Sequence, residues 1–369
     1  MVPTFCEAEN LPLLAQRIDA VLSGSGVEWE LVLIDDDSGD GSEEVAEELA
    51  QRLPVRMEVR REPPRDLSLS VLRGIRASRF DRVVVMDADL SHPPEHIPDL
   101  IGALDEGCDM VVGSRYVSGG RIDQGWSLWR RLNSHGATVL ARLLVDCSDP
   151  MSGFFALDRR VLPDFSQLRP LGYKIGLELM VRGRLRVAEV PIDFADRGRG
   201  ASKMNLRQQV NYLRHLKRLY LHRFGDFARI LSFSLVGVSG FVVDLAFYLG
   251  LQAFGVEHRL ARFLSFWPAV SWNWWLNRRV TFDERPWQPP TRQWVRFVIA
   301  SLVGLAVNVG SYLFLTSFVE IFIRHPLYAF LLGIILGGGV NFLVSTLYVY
   351  RRHSDLHEKV AAAPSGGRN

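Results

Sequence analysis

The run Val83-Val84-Val85-Met86-Asp87-Ala88-Asp89-Leu90-Ser91-His92 sets two carboxylates, one small residue apart, at the end of an apolar stretch. The stretch reads as a buried strand. Side chains alternate along a strand, so Asp87 and Asp89 leave it on one face. Carboxylates held that close repel unless a cation lies between them, and hard oxygen donors suit Mg²⁺ or Mn²⁺. Such ions commonly bridge protein carboxylates to the phosphates of a nucleotide. An isolated Asp-x-Asp more often marks a solvated turn. Here it ends a buried strand, where open α/β sheets bind ligands, and that position favours the metal reading.

Other residues could handle phosphate. A second acidic cluster, Asp35-Asp36-Asp37-Ser38-Gly39-Asp40-Gly41, closes another apolar run, Glu30 to Ile34. Ser114-Arg115-Tyr116 follows a third, Asp109 to Gly113. Arg130 and Ser134 stand four apart, on one helix face, where guanidinium and hydroxyl can grip one oxyanion. Arg131 reads as an ordinary surface arginine. Asp149, in Ser148-Asp149-Pro150-Met151-Ser152-Gly153, has two readings, a general base or a turn cap. Glu178, alone in an apolar helix, reads as structural. Asp196-Arg197-Gly198-Arg199-Gly200-Ala201-Ser202-Lys203 is a glycine-rich basic loop able to close over phosphates.

The elements that must position these residues alternate. Helices are predicted over Asn10 to Leu22, Ser42 to Leu53, Leu69 to Ala77 and Pro94 to Leu104. Strands are predicted at Glu30 to Ile34, Val55 to Val59, Val83 to Met86, Asp109 to Gly113 and Val187 to Phe194. That alternation implies a mostly parallel sheet with helices on both faces. Met1 to Glu7 reads as the end of a strand with almost no strand before it. Either that strand is short or the true start lies upstream. No signal peptide opens the chain.

Composition separates two halves. Over 369 residues the formal net charge is +2, so nothing global favours nucleic acid. Cys6, Cys108 and Cys147 are scattered without CxxC spacing, which argues against a disulfide framework or a zinc site. The mean hydropathy of +0.07 averages a charged first half with an apolar second half that starts near Arg229. Met204 to Phe224 forms a basic amphipathic helix suited to an anionic leaflet, or else a solvated helix packed on the first half. Four membrane spans are predicted at about 230–253, 260–280, 294–318 and 327–350. Arg278, Arg279, Arg285, Arg292 and Arg296 crowd the central loop and Arg351-Arg352 follow the last span, which places both termini in the cytoplasm. Arg229 and Ser234-Leu235-Val236-Gly237 are echoed by Arg296 and Ser301-Leu302-Val303-Gly304, a sign of two duplicated hairpins. Asp244, Asn273, Asn308 and Asn341 are polar at membrane depth. They read either as a lipid-phosphate path or as helix-to-helix hydrogen bonding.

Taken in order, Pro3-Thr4-Phe5-x-Glu7, Asp35-Asp36, Asp87-Ala88-Asp89-Leu90-Ser91-His92, Gly113-Ser114-Arg115-Tyr116, Ser148 to Gly153 and Ser202-Lys203 form a family pattern. The chain resembles polyprenyl-phosphate glycosyltransferases of the dolichyl-phosphate mannosyltransferase type, family 2 glycosyltransferases with an α/β GT-A fold. This likeness covers residues 2–205. The region about 226–352 looks like a GtrA-type transmembrane domain. The resemblance implies an inverting enzyme of the inner membrane. It would move one sugar from a nucleotide sugar, most simply GDP-mannose, to a polyprenyl phosphate at the cytoplasmic face. A UDP-sugar donor such as UDP-glucose, or a membrane half that flips the glycolipid, are the alternatives. A processive polysaccharide synthase is disfavoured, since the chain lacks Gln-x-x-Arg-Trp.

The resemblance also implies roles. Pro3, Phe5, Glu7, Asp35, Asp36 and Asp66 would hold the nucleotide, with Asp87, Ala88 and Asp89 beside it. Asp87, Asp89 and Ser91 would bind Mg²⁺ or Mn²⁺. Arg115, Arg130 and Ser134 would take the acceptor phosphate, and Arg197 and Lys203 would close on the pyrophosphate. Asp149 joins Asp89, Arg115 and Arg130 as a candidate catalytic residue. Cys6 replaces a usual asparagine and Ala201 a usual glutamate, and Arg65-Asp66-Leu67-Ser68 lacks the usual glycines. The implied organisation is a catalytic domain (1–203), the basic helix (204–228), the membrane domain (229–352) and a disordered tail (353–369).

Overall fold

Leu31–Asp35 (β2) and Met110–Ser114 (β5) are buried along their whole length, as strands covered on both faces must be. β2 lies between Val2–Thr4 (β1) and Val55–Val59 (β3), parallel to both. Arg82–Val85 (β4), Phe155–Asp158 (β7), β5 and Val187–Pro191 (β8) form a second set in the order β4-β7-β5-β8. The Met1 ammonium donates to the Val84 carbonyl at 2.9 Å and the Met86 N–H to the Met1 carbonyl at 3.3 Å. The two sets therefore run on as one sheet. The computed structural model describes residues 1–122, 136–165, 168, 174–194, 206–286 and 288–351; Arg130, Ser134, Arg197 and Lys203 lie outside the described residues.

The sheet is mostly parallel, as predicted, with one exception. β7 runs antiparallel to both neighbours, pairing Phe155 with Val85 and with Val112. An apolar run carries no information on strand direction, so periodicity alone could not show this. Leu11–Leu22 (α1) and Ile97–Asp105 (α4) cover one face, through Leu11, Leu14, Ile18 and Leu100. Leu67–Ala77 (α3) and Ile175–Gly183 (α6) cover the other, through Val71, Ile75, Ile175 and Leu179. Ser42–Ala50 (α2) ends sooner than predicted, because the Gln51 N–H turns back to the Glu48 carbonyl at 3.3 Å. Arg121–Ile122 (β6) pairs with Asp193–Phe194 (β9) in a small parallel ribbon.

The chain divides into two units, Met1–Phe224 and Gly225–Asn369. The basic helix, Leu206–Phe224 (α7), belongs to the first. Leu216 and Leu219 pack with Leu177 and Val181 of α6, with Ala141 of the helix over 136–142 (α5) and with Leu144 just beyond it. The Tyr212 and Tyr220 hydroxyls donate to the Ala137 and Leu140 carbonyls, both at 2.7 Å. The buried stripe thus runs through His215 and Leu219, while Leu213 is exposed.

His215 gives this packing a pH dependence. Burial first, then Arg218 and Arg182, push its pKa from 6.5 down to about 4. Glu178 lies 3.7 Å from its Nδ1 and acts the other way, but the Glu178 carboxylate is matched by Arg182 at 2.7 Å. A base whose folded pKa is depressed binds its proton more readily when unfolded. Stability is therefore present above pH 6.5 and lost as pH falls toward 4, by about 3 kcal/mol for this group. The melting temperature in detergent is expected to fall across that window, and the fall to shrink in His215→Gln. Identical profiles for the two proteins would remove His215 as the cause.

Gly225, at φ +54°, separates α7 from the second unit. That unit holds Asp226–Ala253 (α8), His258–Leu276 (α9), Pro290–Phe318 (α10), the short Glu320–Arg324 (α11) and Pro326–Val344 (α12). Among the described residues three helices are long and apolar enough to cross a membrane: Asp226–Ala253, Pro290–Phe318 and Pro326–Val349. α9 is not one of them: besides Arg259 and Arg262 in its first turns, it carries Pro268, Asn273 and several tryptophans, which leave it less apolar. α10 and α12 meet backbone to backbone: a Cβ on Gly337 would lie 2.5 Å from the Gly304 carbonyl. Asn308 and Asn341 sit at that crossing against Gly333, Gly337 and Gly304, the close small-residue packing that joins helices in lipid.

Candidate active site

The ends of β2, β4 and β5, and the start of the antiparallel β7, lie along one edge of the sheet. Because Phe155 pairs with both Val85 and Val112, the turn from Asp149 to Phe154 stands between the ends of β4 and β5. The acidic pair and Arg115 therefore flank it.

After β4 the chain turns sharply at Leu90, whose φ of +62° lets Ser91 fold back on Asp89. The Ser91 hydroxyl donates to Asp89 Oδ1 at 2.6 Å and its N–H to the same atom at 3.1 Å. Ser91 is buried, so it touches the site through Asp89. The Asp87 N–H donates to His92 Nδ1 at 3.0 Å, and the His92 ring stacks on Phe154 at 5.3 Å. Gly153 completes the cradle. A Cβ there would lie 3.5 Å from both Asp87 oxygens and 3.2 Å from the His92 ring. Two half-exposed carboxylates, with that space kept clear by a glycine, fit a small hard cation.

On the far side of the turn Asp149 is fully buried and grips Arg115 three times. Its Oδ2 accepts from Arg115 Nε at 2.7 Å and from the Arg115 N–H at 3.1 Å, and its Oδ1 from Nη2 at 2.9 Å. Burial works against the Arg115 charge, but the Asp149 hydrogen bonds and charge outweigh it and raise the guanidinium pKa. The guanidinium also lies over the Phe194 ring at 5.1 Å and the Tyr116 ring at 5.6 Å. Both Asp149 oxygens are taken up in holding one cation.

The end of β2 makes a third station. Asp35 is buried and accepts from the Thr4 hydroxyl at 3.1 Å and from the Ser38 N–H and hydroxyl at 2.8 and 2.5 Å. Asp36 is ion-paired with buried Arg60, which also donates to the Glu62 and Pro64 carbonyls at 2.6 and 2.7 Å. Asp40 ties the two loops together, accepting from the Ala8 N–H at 3.0 Å and the Ser42 hydroxyl at 2.7 Å. Burial tends to raise its pKa, but those hydrogen bonds prevail and hold it below the usual carboxylate range. Pro3 is buried within β1, and Glu7 accepts from Asn10 at 2.5 Å. Asp66 caps α3 by accepting the Ser68 N–H at 2.9 Å.

Phe5 is different. It is 48% exposed, with the Arg65 guanidinium 5.2 Å from its ring centroid, and Arg65 is steadied by the Asp37 carbonyl at 2.8 Å. An exposed ring beside a guanidinium has the shape and charge to stack a planar base, the role expected of Phe5. Stacking of a base on an aromatic side chain contributes roughly 1–3 kcal/mol. Phe5→Ala is accordingly expected to weaken donor binding about fivefold to a hundredfold without changing acceptor saturation. Unchanged donor binding by calorimetry would take Phe5 out of the site.

The structure thus brings Asp35, Asp36, Phe5, Asp87, Asp89, Arg115 and Asp149 to one edge of the sheet. His92, Arg60 and Glu189 were not assigned roles from sequence. His92 stood inside the acidic motif and could have been found there, whereas Arg60 and Glu189 carry no motif at all.

A family profile described as glycosyl transferase family 2 matches residues 1–165. A second, described as GtrA/DPMS, transmembrane domain, matches residues 232–350. The chain is 38% identical over 351 residues to a dolichol-phosphate mannosyltransferase of Pyrococcus furiosus, covering 94% of this chain and 97% of that protein. It is 37% identical over 257 residues to a Saccharomyces cerevisiae protein of the same name, covering 67% and 96%. A Mycosarcoma maydis protein of that name is 41% identical over 233 residues, covering 61% and 79%.

Proposed function

The chain belongs to the dolichol-phosphate mannosyltransferases of glycosyl transferase family 2, and from that premise we propose how its residues share the work. It transfers mannose to a polyprenyl phosphate. The donor in this reading is GDP-mannose, held with its base against Phe5 and Arg65 and its diphosphate toward Asp87 and Asp89. The observation that carries the reading is the placement of an acidic pair and a pre-oriented arginine on either side of one turn.

The acceptor phosphate is already anionic at neutral pH, so its attack on the anomeric carbon needs no strong base. The new bond joins a phosphate oxygen to that carbon, the bond to the nucleoside diphosphate breaks, and the configuration inverts. Arg115 draws the acceptor phosphate in and aims it. Asp149 keeps Arg115 in place, a role that fits its complete burial better than proton transfer. Asp87 and Asp89 would hold Mg²⁺ or Mn²⁺, which supplies positive charge to the departing diphosphate. Ser91 orients Asp89, and His92 fixes the backbone at Asp87. Arg130 and Ser134 would add to the acceptor grip, and Arg197 and Lys203 to the diphosphate.

The second unit holds the enzyme at the bilayer in this reading, with α9 as a fourth span. Its charge at Arg262 is offset by Asp244 of α8, which also accepts from the Ser265 hydroxyl at 2.7 Å. Paired charges cost far less in lipid than single ones. The arginines of the central loop and Arg351 favour a cytoplasmic face for the catalytic unit.

The test is a donor panel. Purified enzyme with undecaprenyl or dolichyl phosphate and Mn²⁺ or Mg²⁺ is expected to give a mannosyl lipid from GDP-mannose and little from UDP-glucose. Preferential turnover of UDP-glucose would overturn the donor assignment.

A further inference from the structure

Glu189 has no part in the mechanism above. It stands in β8 opposite Val112 of β5, on the strand next to the one that delivers Arg115. Its Oε2 accepts the Ser148 N–H at 2.7 Å and its Oε1 the Asp149 N–H at 3.0 Å. One carboxylate thus holds two successive backbone donors of the turn that carries Asp149. Arg142 holds the same turn from its other side, donating through Nε to the Ser148 carbonyl at 2.9 Å. Beyond the turn, Asp149 grips the backbone N–H, Nε and Nη2 of Arg115.

We propose that Glu189 is a positioning residue for the acceptor phosphate, acting through the Ser148–Asp149 turn and Asp149 on the Arg115 guanidinium. The inference rests on the reading that Arg115 binds the acceptor. A doubly accepting carboxylate fixes the peptide planes of Ser148 and Asp149, and with them the direction in which the Asp149 side chain leaves the backbone. The Arg115 fork follows that direction, because both Asp149 oxygens engage it. With the anchor weakened, the ion pair survives but its guanidinium tilts away from the line on which the phosphate approaches. Aim of this kind is sensitive: a misplacement of about 1 Å costs on the order of a hundredfold in rate.

The test uses the full-length enzyme in lipid or detergent and a double-mutant cycle. Glu189→Gln keeps the shape but offers one acceptor oxygen where two are needed. It is expected to lower kcat/KM for polyprenyl phosphate about tenfold or more while the KM for nucleotide sugar stays constant. In an Arg115→Ala background the same change is expected to have no further effect on acceptor use. An equal loss in both backgrounds overturns the proposal. So does a lower melting temperature with normal acceptor kinetics, which would make Glu189 a purely structural strand residue. If Arg115→Ala alone leaves acceptor saturation intact, the assignment of Arg115 fails, independently of Glu189. Should Glu189→Gln not fold, Glu189→Asp, which keeps the charge on a shorter stem, is carried through the same cycle.

Discussion

Asp89→Ala is expected to reduce turnover by on the order of a thousandfold or more while leaving the protein folded. Asp89 is half-exposed at a strand end, and the partners shown for it, the Ser91 hydroxyl and N–H, belong to the same turn. Its loss opens no cavity among the packed residues of β4, Val83 and Val85. In the proposed role, the reaction would lose a carboxylate where the departing diphosphate accumulates charge. Steady-state rates with GDP-mannose, read beside the melting temperature, separate the two effects. Full activity of the variant in excess chelator would remove both the metal and the role of Asp89.

Asp149→Ala is expected to do the reverse, harming the fold first and the rate as a consequence. Removing it leaves the Arg115 guanidinium, itself 10% exposed, without its partner carboxylate. Breaking a buried pair from one side costs about 3–5 kcal/mol. For a unit of this size that is a fall in melting temperature of roughly 6–20 °C. Asp149→Asn discriminates between aim and proton transfer. A residue that only orients Arg115 gives a variant with a lower rate and an unchanged pH dependence. The disappearance of an acidic limb from the pH–rate profile would instead restore Asp149 as a base.

Much of this was legible in the residues themselves. Apolar runs ending in acids marked β2 and β4 and placed both acidic stations on one sheet edge, because strand ends and ligand sites coincide in open α/β sheets. The direction of β7 was not legible, since an apolar strand reads the same both ways. The buried face of α7 was legible only in part: Leu216 and Tyr220 pack on the first unit, as their spacing suggests, but packing on α6 also placed the His215 imidazole inside and left Leu213 outside. Glu189 carried no motif because its partners are backbone N–H groups some forty residues away. A side chain whose work is done on backbone leaves no trace in the identity of what it holds.

The antiparallel strand makes the sheet a ruler. Neighbouring strands lie about 4.8 Å apart, so β4 and β5, with β7 between them, are about 10 Å apart. With the proposed roles, the leaving diphosphate would start from the β4 side and the incoming phosphate from the β5 side. Bond formation requires the reacting atoms to come within about 3–3.5 Å. In those roles the inserted strand holds the acidic pair and the arginine two strand spacings apart, further than that reach, so the sheet itself would not press the two phosphates together.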